Sequence, residues 1–195
     1  MRRLILSTRN DHKVREFTRL TGGALAIDPL PAEVTLPPED GDSFAANALG
    51  KARAAAAATG RAAIADDSGV EAAALGGRPG IYSARFAGPG ASDEENLAKL
   101  LREAPAGSPL AYVCAIAYVD PATGVERVFE GRCEGTLAAA PAGEGGFGYD
   151  PAFLPADELP GGRPGRTMAE LSDEEKDAIS HRGRALRALR DWLGA

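Results

Sequence analysis

Apolar positions follow two spacings along the first half of the chain. Arg2 to Ser7 is a short β-type run, and Val14, Phe17 and Leu20 then recur at helical spacing until Gly22-Gly23 stops the pattern. A strand, a turn and a helix are predicted there. Leu25 to Asp28 reads as a second short strand, followed by Pro29, Pro31, Pro37 and Pro38, which forbid regular structure. Asp42 or Ser43 can cap the next helix, whose apolar stripe is Phe44, Ala48, Ala52 and Ala55, while Asn47 and Lys51 share another face. Arg61 to Ser68 is apolar until it meets Asp66, Asp67 and Ser68, with Gly69 behind them; a buried strand ending in an acidic turn is expected. The Gly-rich stretch Gly76 to Phe86 reads as a shaped loop, in which Arg85 meets a phosphate or an acid of the loop. Ser92 or Asp93 caps a helix through Leu97, Leu100 and Leu101.

In the second half the spacing changes. Leu110 to Val119 and Val125 to Leu137 are β-type runs joined by Asp120 to Gly124, which predicts a hairpin of long antiparallel strands. Pro160 to Gly165 is expected to be mobile, a short helix follows, and Ser180 caps a last helix with Leu186, Leu189, Trp192 and Leu193 as its buried stripe. Alternating strands and helices followed by a hairpin imply an α/β protein, with a two-lobed, mixed sheet flanked by helices and a groove between the lobes as the site. A single domain of two lobes spanning residues 1–195 is expected.

Composition narrows the function classes. The chain is 44% hydrophobic and 26% charged, with a formal net charge of −6, so a broad nucleic-acid-binding face is not expected. The only two cysteines, Cys114 and Cys133, fall in apolar runs and read as buried free thiols. Neither a signal-peptide h-region nor an 18-residue apolar span is present, so a cytoplasmic protein without a membrane segment is expected.

Candidate chemistry gathers in loops. The turn Thr8-Arg9-Asn10-Asp11-His12-Lys13 puts hydroxyl, amide and ammonium groups at a helix start, where a phosphate is favoured; plain N-capping by Asn10 or Asp11, with Lys13 in solvent, is the alternative. Asp66 and Asp67 would point in different directions in an extended chain, one holding a hard cation and the other orienting a water or the loop. Solvated acids in an Asx turn are the competing reading. Gly143 to Pro151 carries Phe147 and Tyr149 among glycines, which suits a binding loop with stacking aromatics. His181 and Arg182 open the last helix as donors for an oxygen-rich ligand.

Taken together, these segments resemble the inosine triphosphate pyrophosphatase family, the dITP/XTP pyrophosphatases, over nearly the whole chain. The likeness is carried by Thr8-x-Asn10-x-x-Lys13, by Glu39 with Asn47 and Lys51, and by Asp66-Asp67-Ser68-Gly69. Pro79-Gly80-x-x-Ser83-Ala84-Arg85, Gly145 to Pro151, and Glu175-Lys176 with Ser180-His181-Arg182 complete it. Many members carry glycine where Arg9 and His12 stand; Arg9 is expected to point outward, as a surface residue.

The resemblance implies cleavage between the α and β phosphorus atoms of a purine nucleoside triphosphate, with Mg²⁺ as cofactor, in a homodimer. Glu39 and Asp67 would hold the metal, with Asp66 supporting the turn or the metal's water shell, and Asp67 would be the general base. Thr8, Arg9, Asn10, Asp11, His12, Lys13, Lys51 and Ser68 would position the phosphates. Phe147 would stack on the base within the loop that includes Gly148 and Tyr149, and Asp150, Lys176, His181 and Arg182 would line its edge. Cationic donors suit the 6-oxo group of hypoxanthine or xanthine and leave a donor unmet opposite adenine's amino group, which costs ~1–3 kcal/mol. A pyrophosphatase for modified pyrimidine nucleotides, a phosphatase using the same metal turn, and a non-catalytic nucleotide sensor are the rival readings.

Overall fold

A computed structural model describes residues 3–157 and 165–194 of the chain. The expectation for Pro160 to Gly165 falls mostly outside the described residues. The strands are β1 (Arg3–Leu6), β2 (Ala26–Pro29), β3 (Ala63–Ala72), β4 (Pro109–Asp120), β5 (Val125–Leu137) and β6 (Phe153–Pro155). They form one six-stranded sheet in the order β2-β1-β3-β4-β5-β6. β1 pairs in parallel with β2 and β3, and β5 pairs antiparallel with β6, so the sheet is mixed. The helices are α1 (Asp11–Thr21), α2 (Phe44–Thr59), α3 (Asp93–Glu103), α4 (Asp173–Ile179) and α5 (His181–Leu193). No described helix is long and apolar enough to cross a membrane.

Local sequence accounts for the helix starts. Ser43, Ser92 and Ser172 each accept a hydrogen bond from a first-turn backbone N–H, and the last two form reciprocal capping boxes with Glu95 and Glu175. α1 stops at Gly22, whose φ of 51° is a left-handed conformation that glycine adopts without a Cβ penalty.

The chain divides into two compact units. One comprises residues 1–67, 114–131 and 182–195. Its core packs Leu4, Leu6 and Ile64 of the sheet, with Cys114 and Ile116, against Phe17 of α1 and Leu186 and Leu189 of α5. The other comprises residues 68–113 and 132–181, with a core that includes Val70, Leu100, Leu110, Cys133, Phe153 and Ile179. Both cysteines are buried and free, and burial pushes the Cys114 thiol up to about 12.

Two expectations need correction. β3 does not end on the acids: it runs through Asp66, Asp67, Ser68 and Gly69 to Ala72. Its neighbour β1 is the shorter strand, since Leu6 pairs with Ile64 and no residue of β1 reaches Asp66. The acids therefore sit past the carboxyl end of β1, which keeps them at a sheet edge although they lie in mid-strand. Gly69 is present for close approach, because a Cβ there would lie 2.4 Å from both the Gly80 carbonyl oxygen and Ser83 Oγ. The second correction is Trp192, which is 42% exposed and meets Tyr118 edge-on instead of lying inside the α5 stripe. Its ring is too large to enclose at the end of a helix, whereas Leu186 and Leu189 fit beneath.

A buried ionic cluster ties three elements of the first unit together. Arg182 of α5 donates through Nε and a terminal nitrogen to Asp66 Oδ2 at 3.1 and 2.8 Å, and its other terminal nitrogen bonds Glu16 of α1. Lys13 of α1 lies 3.1 Å from the same Asp66 oxygen. Burial opposes ionisation of Asp66, but the charges of Lys13, Arg182 and Lys51 outweigh it and hold the carboxyl well below the usual carboxylate range. Removing one member of a buried pair strands the others. Asp66→Ala should lower the unfolding free energy by about 3–5 kcal/mol in urea titrations at neutral pH. The folded carboxyl is more acidic than the unfolded one, so this contribution is complete above the unfolded value of 3.8 and is lost as pH falls below it. The stability gap between wild type and variant should therefore narrow as the titrations are taken from neutral pH to about pH 3.

Candidate active site

Alternation along β3 sends the two acids to opposite faces. Asp66 faces α1 and α5, as described above, and Asp67 faces α2. Asn47 Nδ2 donates to Asp67 Oδ2 at 2.9 Å, and Lys51 Nζ lies 3.7 Å from Asp67 Oδ1. Asn47 and Lys51 are one helical turn apart, which is why both reach the same carboxylate. Lys51 also bonds Glu39, delivered by the proline-rich loop that precedes α2. Burial is the largest influence on Asp67 and raises its carboxyl above the ordinary value, against the lowering effects of Lys51 and Asn47. Glu39 is half-buried; burial would raise its carboxyl, but Lys51 prevails and holds it lower. Burial works against the Lys51 ammonium, and Asp66, Asp67 and Glu39 more than compensate, keeping it charged.

The turn before α1 is built by its own side chains. Thr8 Oγ1 accepts the Asn10 N–H at 3.1 Å, and Asn10 Oδ1 accepts those of His12 and Lys13 at 2.9 and 3.2 Å. Asn10 is the N-cap, as the capping reading expected, but Lys13 is not left in solvent: it is drawn inward to Asp66. Asp11 and His12 are exposed on the first turn of α1, where an acid suits the positive end of the helix. Arg9 is exposed, as expected, but it is anchored: its guanidinium donates to the carbonyls of Leu30, Pro31, Ala32 and Val34. Ser68, half-buried, follows Asp67 on β3. Arg182, expected as a donor at a base edge, serves instead as the counter-charge of Asp66 and Glu16 and is 2% exposed.

The second unit holds the aromatic loop. Phe147 is half-buried, and the Lys176 ammonium sits 5.4 Å from its ring centroid. Asp150 accepts from the Phe147 N–H at 2.9 Å, from Lys176 Nζ at 2.8 Å and from the Tyr112 hydroxyl at 3.0 Å. Its carboxylate therefore serves to hold the loop and Lys176, and it is 3% exposed. Gly146 permits this: at φ 70°, a Cβ would lie 2.0 Å from Asp150 Oδ2. The Gly148 N–H donates to Asp93 at 2.9 Å. Tyr149, expected as a stacking face, is buried and donates its hydroxyl to the Ser83 carbonyl at 2.7 Å. Arg85 lies over the Tyr82 ring, 5.1 Å from its centroid. The His181 ring stacks on Tyr112 at 4.7 Å, and Tyr112 stacks on Phe153 at 4.2 Å. Burial first, and Asp150 second, push the Tyr112 hydroxyl well above its usual range, so it remains a donor.

Tyr112 and Glu16 were not among the sequence candidates for the site, whereas Asn47 was singled out with Lys51 on one helix face. Tyr112 and Glu16 read as ordinary members of an apolar strand and an amphipathic helix, with no signal in the sequence beyond that. What the sequence did not show for Asn47 is its partner, the Asp67 carboxylate.

The donors fit a magnesium ion. Among the described residues there is no group of three His, Cys, Asp or Glu side chains that could hold a metal. Mg²⁺ needs fewer, because it is commonly bound by one or two carboxylates and completes its shell with water and phosphate oxygens. Glu39 and Asp67 are such a pair. Asp66 Oδ1, fully buried, has no hydrogen-bond partner among the described residues, leaving an acceptor for an ordered water or a cation's hydration shell. Charge balance points the same way: Lys13, Lys51 and Arg182 are matched by Glu16, Glu39, Asp66 and Asp67, so a polyphosphate would find no surplus positive charge without an added cation.

The chain is 50% identical to the dITP/XTP pyrophosphatase of Symbiobacterium thermophilum, an alignment covering 100% of this chain and 96% of the relative. It is 45% identical to the dITP/XTP pyrophosphatase of Geobacter sulfurreducens over 100% of this chain and 98% of that protein. Among solved structures, a HAM1 protein from Coxiella burnetii superposes with a TM-score of 0.83 at 37% identity, covering 100% of this chain and 99% of the other. A sequence profile matches residues 4–192, and on these grounds the chain belongs to the Ham1 family.

Proposed function

We propose that this chain hydrolyses the deaminated purine nucleoside triphosphates ITP, dITP and XTP to the nucleoside monophosphate and pyrophosphate. The observation that carries this reading is the pair of adjacent β3 carboxylates driven apart in acidity. Asp66 is held ionised by cations, and Asp67 is raised by burial towards a value better matched to accepting a proton. The relatives named dITP/XTP pyrophosphatase support the substrate class.

In this reading Lys13 and Lys51 neutralise phosphate oxygens, and Ser68 and the Thr8 to Asn10 turn orient them. Water attacks the α-phosphorus, the bond to the oxygen bridging to the β-phosphate breaks, and pyrophosphate leaves with that electron pair. Asp67 takes the proton that the attacking water gives up. Glu39 and Asp67 would hold Mg²⁺, which when bound would supply positive charge to the phosphates and make nearby water more acidic. Asn47 fixes the Asp67 carboxylate by donating to one of its oxygens. On the base side, Phe147 stacks on the purine while Lys176 and His181 offer donors to its 6-oxo group. The family likeness adds a cytoplasmic homodimer to the proposal, and neither property enters the chemistry.

Asp67→Asn should stay folded and lose about 10²- to 10⁴-fold in pyrophosphate release, the range of general-base catalysis; near-normal turnover would remove Asp67 from that role. Phe147→Ala should raise the KM for ITP by about tenfold, since a base stacked on an aromatic ring is worth ~1–3 kcal/mol. With Mg²⁺, pyrophosphate should form from ITP and XTP far faster than from ATP and GTP. Orthophosphate as product, or a pyrimidine preference, would point to a different hydrolase, and binding without turnover to a sensor.

A further inference from the structure

Arg9 occupies an unusual position for a side chain in a phosphate-binding turn. It spends its donors on protein backbone. One terminal nitrogen donates to the Leu30 carbonyl at 2.8 Å, and the other is shared among the carbonyls of Pro31, Ala32 and Val34 at 2.6, 3.2 and 2.9 Å. Residues 30–34 form a tight turn, closed by the Val34 N–H bonding the Pro31 carbonyl at 3.1 Å, that turns several oxygens towards a single point. Because this stretch is rich in proline and outside the sheet, its carbonyls have no strand to pair with. A planar guanidinium can serve several such acceptors at once; an ammonium cannot do so in a fixed geometry.

Downstream, the same stretch delivers Glu39. Leu30 and Val34 are buried anchors, and between Val34 and Glu39 lie only Thr35, Leu36, Pro37 and Pro38. Consecutive prolines make a semi-rigid spacer, so the location of the 30–34 turn is transmitted to the Glu39 carboxylate. The far end is pinned as well: Asn47 Oδ1 accepts the Gly41 N–H at 2.8 Å, while the same side chain donates to Asp67. A Cβ on Gly41 would lie 2.7 Å from that oxygen. Glu39 is thus held between an upstream clasp at Arg9 and a downstream clasp at Asn47.

We propose that Arg9 is a positioning residue that fixes Glu39 relative to the turn from Thr8 to Lys13, so that the carboxylate holding the cation and the groups holding the phosphates stay in register. The proposal rests on the reading of Glu39 as a cation ligand. It assigns Arg9 no contact with the substrate, and it makes a permanently charged side chain the link between two loops that share no secondary structure.

The test compares wild type, Arg9→Ala, Arg9→Lys and Glu39→Gln in two measurements. Amide hydrogen exchange without metal or nucleotide should be faster across residues 30–41 in Arg9→Ala, with α1 and β1 exchanging as in wild type. The Mg²⁺ concentration giving half-maximal ITP hydrolysis should rise about tenfold in Arg9→Ala, the usual cost of losing a group that orients a metal ligand, and the deficit should be recovered at high Mg²⁺. Arg9→Lys should fall between wild type and Arg9→Ala. Unchanged exchange across residues 30–41 would overturn the proposal, as would a loosened loop with an unmoved Mg²⁺ requirement. Full restoration by Arg9→Lys would overturn it too, since a point charge would then suffice. If Glu39→Gln leaves the Mg²⁺ requirement unchanged, the failure lies with the reading of Glu39 as a ligand and not with the clasp.

Discussion

A carboxylate with no solvent exposure persists as an anion only while cations stay against it, and Asp66 is such a group. Lys13 comes from α1, Arg182 from α5, and Glu16 balances Arg182 from a second position on α1. The cluster therefore works as a three-way clasp among β3, α1 and α5, with an apolar core of leucines, Phe17 and Ile64 around it. Charge that is enclosed in this way is weak evidence of net stability, because desolvation offsets most of the attraction. What it specifies is placement. Lys13 cannot drift into solvent without taking from buried Asp66 one of the two cations paired with it, so the turn before α1 is held close to the acids of β3.

The neighbouring acid shows what that placement makes possible. Asp67 lies on the other side of the same strand, with Asn47 and Lys51 in place of two strong cations, and burial dominates its acidity. One residue's step along a strand thus separates a carboxylate whose acidity is set by neighbouring cations from one whose acidity is set by burial. Asp150 in the second unit repeats the principle in a different way. Its oxygens are occupied by Tyr112, Lys176 and the Phe147 N–H, so it shapes the aromatic loop and orients an ammonium over Phe147.

Much of this architecture was legible from residue order. Serines at 43, 92 and 172 stand where capping chemistry demands them, and the capping boxes to Glu95 and Glu175 follow from a three-residue spacing. The hairpin of β4 and β5 followed from a short turn between two β-type runs, too short for a parallel crossover. The strand that bears the acids was recognised, but its end was misplaced, because Gly69 reads locally as a turn and only the proximity of Gly80 and Ser83 explains it as a strand residue. Tyr149 and Phe147 look alike in a glycine-rich loop. Their difference, one hydroxyl buried on the Ser83 carbonyl and one ring half-exposed, depends on a chain segment more than sixty residues away.

The sequence by itself determined the element types, the caps, the residues capable of phosphate and metal chemistry, and the family they resemble, since each of these depends on neighbours within a turn or two of chain. Tertiary structure decided which charges are partners. Arg182 reads as an open donor beside His181, yet it lies against Asp66 and Glu16, 116 and 166 residues away in the chain. Arg9 reads as a surface side chain, yet four carbonyls from the proline-rich loop converge on it. Pairing of this kind follows from which elements the core brings together, and no local spacing encodes it; the propensity of a residue names what it can do, and burial beside a particular partner selects what it does.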